Sequence, residues 1–417
     1  MNESEAGPYM KLLFVHQNLG EFGGAETNIH LSAEYLKAQG HTVSLLFRRT
    51  TQRDESGWRR LFSTCFPLRS NGDIEQTEAV LAELKPDLIY LHTLDDLEVV
   101  RVLNQSGTPV VCMVHDHSLY CLRHYKYNYF TRRICRRAAS PYCIFPCLGT
   151  VVRNPNGKLP VKWASYTSQL AQMNLRKQCR AVIVYSEYQK QELLRNGFAA
   201  DKIVTCAPLH TWAGEGLTSS FSERNLVLFA GQIIRGKGVD ALLKALAQVR
   251  VPFEAVVLGD GNHRAYCQRL ADRLGLGGKV RFAGYVLPAE LKKYYLEASL
   301  FAFSSLWPEP FGLAGPEAMR YGLPVVAFDS GAVSEWLHDG ENGWLVPWGD
   351  TEAFARRIEQ LLQNKEQARE LGRRARLSVQ KWEISRQLGR VERLFLRLTQ
   401  PTKPQPSVPI EKLSAYD

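Results

Sequence analysis

The chain has 417 residues, of which 45% are hydrophobic and 23% charged. Because this length exceeds what one compact hydrophobic core usually holds, we expect two globular domains. No apolar run approaches the roughly 18 residues of a membrane span, and the first residues do not resemble a secretory signal, so we expect a cytoplasmic protein. Nine cysteines in this length do not indicate a disulfide-stabilised secreted domain.

The net charge of +10 is concentrated in one segment. Residues 117–186 contain no Asp or Glu and twelve Lys or Arg residues, and removing these twelve charges from +10 leaves −2 for the rest of the chain. A basic block of this kind predicts a face for an anionic partner, which could be a membrane surface, a phosphorylated substrate or a nucleic acid.

The N-terminal half has the alternating pattern of a parallel α/β sheet. The run "KLLFVH" is followed by the glycine-rich turn "GEFGGAE", a helix-period segment that ends at Gly40, and the strand-like run "HTVSLLF". Three further short apolar runs, "PDLIYLHT", "PVVCMVHD" and "AVIVYS", are typical of buried parallel strands. Ser186, at the end of the last run, is predicted to cap the helix that follows it.

A second α/β pattern begins at residue 226. The strand-like run "LVLFA" is followed by the basic turn "GQIIRGKG", a helical segment, and the runs "FEAVVLGDG", "KVRFAGYV", "LFAFSS" and "PVVAFDSG". From Thr351 the pattern is helical. We therefore predict two doubly wound Rossmann-like domains, in which ligands bind at the carboxyl ends of the strands, so that two facing sheets form one cleft.

The predicted boundary lies between residues 206 and 207. The N-terminal domain, residues 1–206, carries a basic, Cys-bearing insertion at about 117–165, and the C-terminal domain covers residues 207–400. A linker is expected at 207–216, and the Pro-rich residues 401–417 are expected to form a disordered tail.

Two glycine-containing turns follow the first strands of the two domains. Gly23 and Gly24 could allow the backbone to approach a ligand, or they could serve only the turn that leads into the helix. The turn lacks the G-x-G-x-x-G pattern of dinucleotide-dependent oxidoreductases. In the second domain Gly231, Arg235 and Lys237 precede a helix, where they could hold a phosphate or form a solvated basic turn.

The most informative stretch is "LWPEPFGLAGPEAMRYGLPVVAFDSG", residues 306–331. Its "PFGLAGPEAM" portion predicts a loop that leads into a helix, with Pro316 and Glu317 in the first turn. Glu317 could serve there as a helix-dipole partner, but Glu309 precedes the helix, and nothing structural requires its charge. Two such carboxylates suit a ligand rich in hydroxyl groups.

The segments "EPFGLAGPE" and "GLPVVAFDSGAVSEWLHDGENGWLVP", together with the Lys-Gly turn, resemble the family 4 retaining glycosyltransferases, the glycosyltransferase group 1 type with a GT-B fold. The resemblance covers about residues 10–395. It implies two Rossmann-like domains that face each other across a cleft, with a C-terminal helix that packs back on the N-terminal domain.

The resemblance also implies roles for individual residues. Glu309 would face the hydroxyls of the donor sugar and Glu317 those of the ribose, and His115, followed by Asp116, matches the position that contacts the transferred sugar. Gly23 and Gly24 would approach the phosphates or the acceptor. The diphosphate would be held by the basic turn and by backbone amides, which involve Gly231, Arg235, Lys237, Phe311, Gly312 and Leu313.

The implied activity is retaining transfer of a hexosyl group from a UDP or GDP sugar to a glycan or lipid-linked acceptor, in the synthesis of cell-surface polysaccharide or lipopolysaccharide. No metal cofactor is expected to be required, because no Asp-x-Asp motif lies near the donor turn, so Lys237, Arg235 and helix amides would stabilise the leaving diphosphate.

The chain departs from the family pattern at three places. Gln232 stands where Arg is usual, Ala332 where a second Gly is common, and "APLH", which includes His210, replaces Asn-Gly-Val-Asp. Two alternatives therefore stay open: a GT-B enzyme of another class, an epimerase or a phosphorylase, and a catalytically weakened sugar-binding homologue.

The insertion combines cysteines with basic and aromatic residues. Cys121, Cys135, Cys143 and Cys147 are separated by 13, 7 and 3 residues, which is not a paired CxxC pattern, so free thiols and a metal or redox staple are both possible. The Arg, Lys, Tyr and Phe residues of "RHYKYNYFTRRICRRAASPY" suit an anionic membrane surface, which predicts peripheral attachment at the inner face of a membrane. The aromatic residues could also stack on the bases of a single-stranded nucleic acid. No nucleic-acid-binding motif accompanies them, so we do not expect the protein to bind nucleic acid.

Overall fold

The computed structural model of the chain describes residues 9–20, 23–69, 73–128, 131–153, 161–208, 217–222 and 224–400. The predicted disordered tail lies outside the described residues. So does most of the predicted linker, including His210.

The chain divides into two compact units, and it passes between them four times. The N-terminal unit takes the residues up to His124, Arg137–His210 and the chain from Ile384 onward, and the C-terminal unit takes Tyr125–Arg136 and Thr211–Glu383. A single boundary between residues 206 and 207 therefore does not describe the units. A short segment of the insertion belongs to the C-terminal unit, and the last helix belongs to the N-terminal unit.

The N-terminal unit contains a seven-stranded, all-parallel sheet with the strand order β3-β2-β1-β4-β5-β8-β9, and a two-stranded antiparallel hairpin, β6-β7. Its strands are β1 (Lys11–Leu19), β2 (Thr42–Thr50), β3 (Cys65–Pro67), β4 (Leu88–Leu91), β5 (Val110–Val114), β6 (Val151–Arg153), β7 (Val161–Trp163), β8 (Ala181–Val184) and β9 (Ile203–Thr205). Its helices before the linker are α1 (Gly24–Ala38), α2 (Glu55–Leu61), α3 (Asp73–Leu84), α4 (Leu97–Gln105), α5 (Tyr166–Gln178) and α6 (Glu187–Arg195).

The strands predicted from short apolar runs in this half are confirmed. Every residue of β4, β5 and β8 is buried, as expected for strands that helices cover on both faces of a sheet. The predicted cap is also confirmed, because the Ser186 hydroxyl accepts a hydrogen bond of 3.1 Å from the backbone N–H of Gln189. The edge strands β3 and β9 were not predicted, since three residues are too few for a periodic signal.

The C-terminal unit contains a six-stranded, all-parallel sheet with the order β12-β11-β10-β13-β14-β15. Its strands are β10 (Leu226–Ala230), β11 (Glu254–Leu258), β12 (Val280–Gly284), β13 (Leu300–Phe303), β14 (Val325–Phe328) and β15 (Gly343–Val346). Its helices are α7 (Val239–Leu246), α8 (Arg264–Arg273), α9 (Pro288–Glu297), α10 (Ala314–Arg320), α11 (Thr351–Gln363) and α12 (Lys365–Val379).

The last helix, α13 (Ile384–Thr399), packs within the N-terminal unit, which confirms the expectation for the C-terminal helix. Leu388 packs against Leu31 of α1, and the ring centroid of Phe395 lies 5.0 Å from that of Tyr90. The Tyr35 hydroxyl donates a hydrogen bond of 3.2 Å to the Glu392 carboxylate. None of the described helices has the length and apolar character that a membrane crossing requires.

Candidate active site

The conspicuous motifs of the C-terminal unit meet at one edge of its sheet. The basic turn follows β10, the Glu309 loop follows β13, and Gly331 lies shortly after β14, and these three strands are neighbours in the sheet. The carboxyl ends of parallel strands lie at the same edge, which is where ligands bind in folds of this type.

Glu309 is the buried centre of this edge. Its side chain is almost fully buried, and one carboxylate oxygen, Oε1, accepts hydrogen bonds from Lys237 Nζ at 2.7 Å, Ser305 Oγ at 2.6 Å and Trp307 Nε1 at 2.6 Å. Its backbone pairs with Gly331. Three donors on one oxygen fix the orientation of the carboxylate and, with the ammonium charge, compensate its burial.

The basic turn places Lys237 against Glu309. Residues Arg235–Lys237 form a 3-10 turn that ends at Gly238, which has a φ of +68°, and a Cβ there would lie 1.9 Å from the carbonyl oxygen of Ser304. Only glycine fits this position, so the turn is held against the strand end. An ammonium group has three N–H donors, so a bond to Glu309 is compatible with a phosphate contact.

Arg235 and Gly231 lie elsewhere around the turn. Burial raises the pKa of Tyr127 and lowers the pKa of His263, and the positive charge of Arg235 lowers both, so Arg235 lies near these two side chains. Gly231 directly follows β10, and its N–H donates to the Leu258 carbonyl at 3.1 Å.

Glu317 lies in the first turn of α10, as predicted, and is partly buried. Burial, and then the carboxylate of Glu317, raise the pKa of Tyr295 well above its ordinary value, which places the carboxylate close to this phenol. The Tyr295 ring stacks on Tyr321 with a centroid distance of 4.9 Å. Burial, followed by the charge of Glu317, also raises the pKa of Tyr321, so Glu317 lies beside this stacked pair of tyrosines.

The loop between the two glutamates is held by aromatic packing. The Phe311 carbonyl accepts a hydrogen bond of 2.7 Å from Trp336 Nε1, and Gly312 has a φ of +89°, with Phe303 2.8 Å from where a Cβ would lie. Leu313 caps α10. That the amides of Phe311, Gly312 and Leu313 face a diphosphate stays a prediction.

Trp307 and Ser305 are functional candidates that the sequence reasoning missed. Trp307 donates to Glu309, and its ring centroid lies 4.8 Å from Lys237 Nζ. Its backbone N–H donates to the Gly236 carbonyl at 3.0 Å, and a Cβ on Gly236 would lie 3.2 Å from Trp307. The sequence feature that could have indicated a role for Trp307 is its position two residues before Glu309.

The N-terminal unit has its own polar cluster at the carboxyl ends of β1, β4, β5 and β8, which are neighbours in the sheet. His92 Nδ1 lies 3.0 Å from His115 Nε2, and His115 Nδ1 lies 2.6 Å from the Tyr185 hydroxyl. Both ring nitrogens of His115 are therefore engaged, so contact with a sugar hydroxyl would replace one of these two bonds. His92 and Tyr185 were not predicted.

His115 is neutral at pH 7. Burial, followed by the proximity of His16, lowers the pKa of His115 to about 4. The carboxylates of Asp116 and Glu26 act in the opposite direction but do not outweigh burial. A neutral imidazole serves as a hydrogen-bond partner and not as a proton donor of imidazolium type.

The three glycines of the first turn differ in whether the surrounding structure requires glycine at their positions. Gly20 has a φ of +107°, and a Cβ there would lie 2.2 Å from the Thr51 hydroxyl, so the fold requires glycine. Gly23 has extended backbone, and a Cβ on Gly24 would meet nothing within 4 Å. Packing therefore does not require glycine at 23 or 24, and their approach to a ligand stays a prediction.

The nine cysteines all lie in the described part of the chain, and no disulfide joins any of them. Cys121, Cys143 and Cys147 belong to the N-terminal unit and Cys135 to the C-terminal unit. Across the described part of the chain, no three His, Cys, Asp or Glu side chains are grouped as metal ligands would be.

Two family models match the chain in succession. One, described as Glycosyltransferase Family 4, matches residues 22–208, and the other, described as glycosyl transferases group 1, matches residues 218–378. The two matched halves and the fold define a glycosyltransferase of the group 1 type. The chain belongs to glycosyltransferase family 4, which confirms the resemblance carried by the motif residues.

Curated relatives match over part of their length. LpsE of Rhizobium meliloti, a lipopolysaccharide core biosynthesis glycosyltransferase, is 36% identical over 142 residues, which are 34% of this chain and 40% of LpsE. A GDP-mannose-dependent phosphatidylinositol monomannoside mannosyltransferase of Mycolicibacterium smegmatis is 31% identical over 159 residues, 36% of this chain and 42% of the relative. The chain thus matches about two fifths of the length of these relatives.

Solved structures match over almost the whole chain. Anabaena HepE in complex with UDP and glucose superposes with a TM-score of 0.69 at 20% identity, covering 93% of this chain and 99% of HepE. At this identity the likeness concerns the fold, and it confirms the predicted GT-B fold.

Proposed function

We propose that the protein transfers a hexosyl group, with retention of configuration, from a nucleotide-diphosphate sugar to a glycan or lipid-linked acceptor. The observation that carries the proposal is the buried Glu309 carboxylate, held by Lys237, Ser305 and Trp307 at the carboxyl edge of the C-terminal sheet. The name of LpsE supports lipopolysaccharide or polysaccharide assembly. HepE binds UDP and the mannosyltransferase uses GDP-mannose, which supports a donor with one of these two nucleotides.

In this proposal each group has one task. Glu309 binds hydroxyls of the donor sugar, Glu317 binds the ribose, and Lys237 with Arg235 neutralises the diphosphate. The bond from the sugar to the diphosphate breaks, its electron pair leaves with the diphosphate oxygen, and the acceptor hydroxyl attacks the same face of the sugar and gives its proton to that oxygen. Lys237 stabilises the charge that develops on the leaving group.

A donor screen tests this proposal. Wild type and Glu317→Ala are heated with UDP, GDP, ADP and their common sugars, and Glu352→Ala is the control, because Glu352 also lies in the first turn of a helix but is exposed. One nucleotide at about 100 times its dissociation constant should stabilise wild type and the control by about 2.7 kcal/mol, a melting shift of several degrees. The shift should be largely lost in Glu317→Ala.

The outcome also separates the alternatives. A wild type that no nucleotide stabilises contradicts the donor site. Conversion of the nucleotide sugar without an acceptor, with no transfer, would indicate an epimerase or phosphorylase instead.

We further propose that the insertion docks on an anionic membrane surface, where a lipid-linked acceptor would lie. Two aromatic side chains of the acid-free segment are strongly exposed, Phe145 to 75% and Trp163 to 80%. Further exposed apolar side chains belong to the same segment, namely Ile144, Leu148 and Val161. Exposed aromatic residues in a basic, acid-free segment match the chemistry of a charged headgroup layer.

Cosedimentation with vesicles tests the docking surface. At low salt, wild type should bind vesicles with phosphatidylglycerol and not neutral ones. Phe145→Ser/Trp163→Ser should reduce binding about tenfold or more, since two exposed aromatic side chains that docking would bury in the membrane are lost. The control is Tyr285→Ser/Leu287→Ser, which removes side chains of 73% and 58% exposure from the C-terminal unit. Equal binding to neutral and anionic vesicles would contradict the proposal.

A further inference from the structure

A short hairpin of the insertion belongs to the C-terminal unit, although the chain on both sides of it belongs to the N-terminal unit. We call residues 125–136 the crossing hairpin. Tyr127 and Ile134 form an antiparallel bridge, and the Cys135 N–H donates to the Lys126 carbonyl at 2.7 Å. Within it the structure describes residues 125–128 and 131–136.

Two side chains anchor the crossing hairpin. Tyr127 is 6% exposed and forms part of the hydrophobic core of the C-terminal unit with Ile233 and Val239. Arg132 Nη1 lies 3.3 Å from Asp240 Oδ2, and the Asp240 side chain is only 2% exposed. Its other oxygen, Oδ1, has no hydrogen-bond partner among the described residues, so Arg132 provides the compensating charge for a buried carboxylate.

The anchor lies next to the basic turn. Asp240 is the second residue of α7, which begins directly after Gly238, the residue that ends the 3-10 turn with Lys237. The crossing hairpin therefore binds the same short stretch of chain that presents Lys237 to Glu309.

A third side chain of the hairpin reaches the Glu309 cluster. The ring centroid of Tyr125 lies 5.1 Å from that of Trp307 in a tilted arrangement, and Tyr125 is 45% exposed. Trp307 packs on Gly236 on one side and donates its indole N–H to Glu309. Contacts of this kind restrict the rotation of the indole, and aromatic pairs contribute about 0.5–1.5 kcal/mol beyond their buried area.

We propose that the crossing hairpin positions the sugar-binding carboxylate: Tyr127 and Arg132 fix the hairpin, Tyr125 holds Trp307, and Trp307 holds Glu309. This rests on the proposed function, in which Glu309 binds the donor sugar. Tyr125 is a positioning residue, since it acts through Trp307. Its loss should weaken recognition of the sugar and leave recognition of the nucleotide diphosphate nearly unchanged.

Calorimetric titration separates these two effects. For Tyr125→Ala we expect the affinity for the nucleotide sugar to fall about three- to tenfold, the size of one aromatic pair, with less than a twofold change for the nucleotide diphosphate alone. Tyr125→Phe keeps the ring and should bind both ligands as wild type does. Tyr285→Ala, an exposed tyrosine of the same unit, is the matched control. Equal losses for both ligands, or no loss for either, would overturn the proposal.

A second measurement needs no ligand and so separates this proposal from the proposed function. The indole N–H resonance of Trp307, assigned by its absence in Trp307→Phe, should exchange with solvent several times faster in Tyr125→Ala and in Arg132→Gln/Asp240→Asn than in wild type. The double variant removes the anchor without leaving a buried charge unpaired. An unchanged exchange rate in both variants would refute the positioning role even if wild type binds the donor.

Discussion

Glu309→Gln should lower kcat/KM for the donor about 100- to 1,000-fold, the loss expected when one group that is oriented toward the reacting sugar is removed. Glutamine keeps the volume and one oxygen acceptor for Ser305 and Trp307, but it removes the charge that pairs with Lys237 at 2.7 Å. Lys237 is 22% exposed and keeps partial contact with water, so the free energy of unfolding should fall by only about 2 kcal/mol. The rate of nucleotide release from the donor and a urea unfolding curve measure the two effects.

The control for this variant is Glu297→Gln. Glu297 also forms an ion pair, with Arg224 at 3.2 Å, but both side chains are more than half exposed, so the pair contributes little. We expect activity and stability close to wild type. If Glu309→Gln retained activity within threefold of this control, Glu309 would not be the donor-sugar residue.

Gly331→Ala should destabilise the protein by more than about 3 kcal/mol and abolish nucleotide-sugar binding. Gly331 has a φ of +66°, and a Cβ there would lie 2.3 Å from the nitrogen and 2.4 Å from the oxygen of Glu309. The clash is with backbone atoms, which cannot rotate away as a side chain does, so the Glu309 loop must shift. Urea unfolding and the donor titration measure the two losses.

A second glycine provides the matched control. Gly278 has a φ of +79°, and a Cβ there would meet nothing within 4 Å, so Gly278→Ala carries only the cost of the left-handed backbone, about 1 kcal/mol. The difference between the two variants isolates the close approach to Glu309. Equal unfolding midpoints for the two would contradict a tight packing of Gly331 on that residue.

Local pattern was enough to predict the two parallel sheets. Runs such as "PVVCMVHD" and "PVVAFDSG" are apolar and bounded by turn residues, and their short length favours a buried strand over a helix. The proximity of Lys237 and Glu309 could also be predicted, because both residues follow the carboxyl ends of strands, and these ends lie at one edge of a parallel sheet.

The contacts that escaped prediction join distant parts of the chain. Arg132 and Asp240 are 108 positions apart, and no local pattern indicates that a basic insertion of the first half pairs with a helix of the second. The strands before His92 and Tyr185 were predicted, but the contacts of these two side chains were not. Which polar side chains meet at a sheet edge depends on strand order, which short apolar runs do not specify. The role of Trp307 was not predicted, and the sequence alone does not establish one, because a tryptophan in an apolar segment is most often a packing residue.

The four passages of the chain between the two units determine how this protein can be divided or recombined. A C-terminal fragment that begins in the linker would lack Tyr127, a buried member of its core, and the N-terminal fragment would lack α13, which covers Leu31 and Tyr90. A chimera that exchanges halves with a relative at a single junction would therefore bring a foreign hairpin to Asp240 and a foreign helix to α1. Exchange of intact units requires four junctions: at both ends of the crossing hairpin, in the linker, and before Ile384.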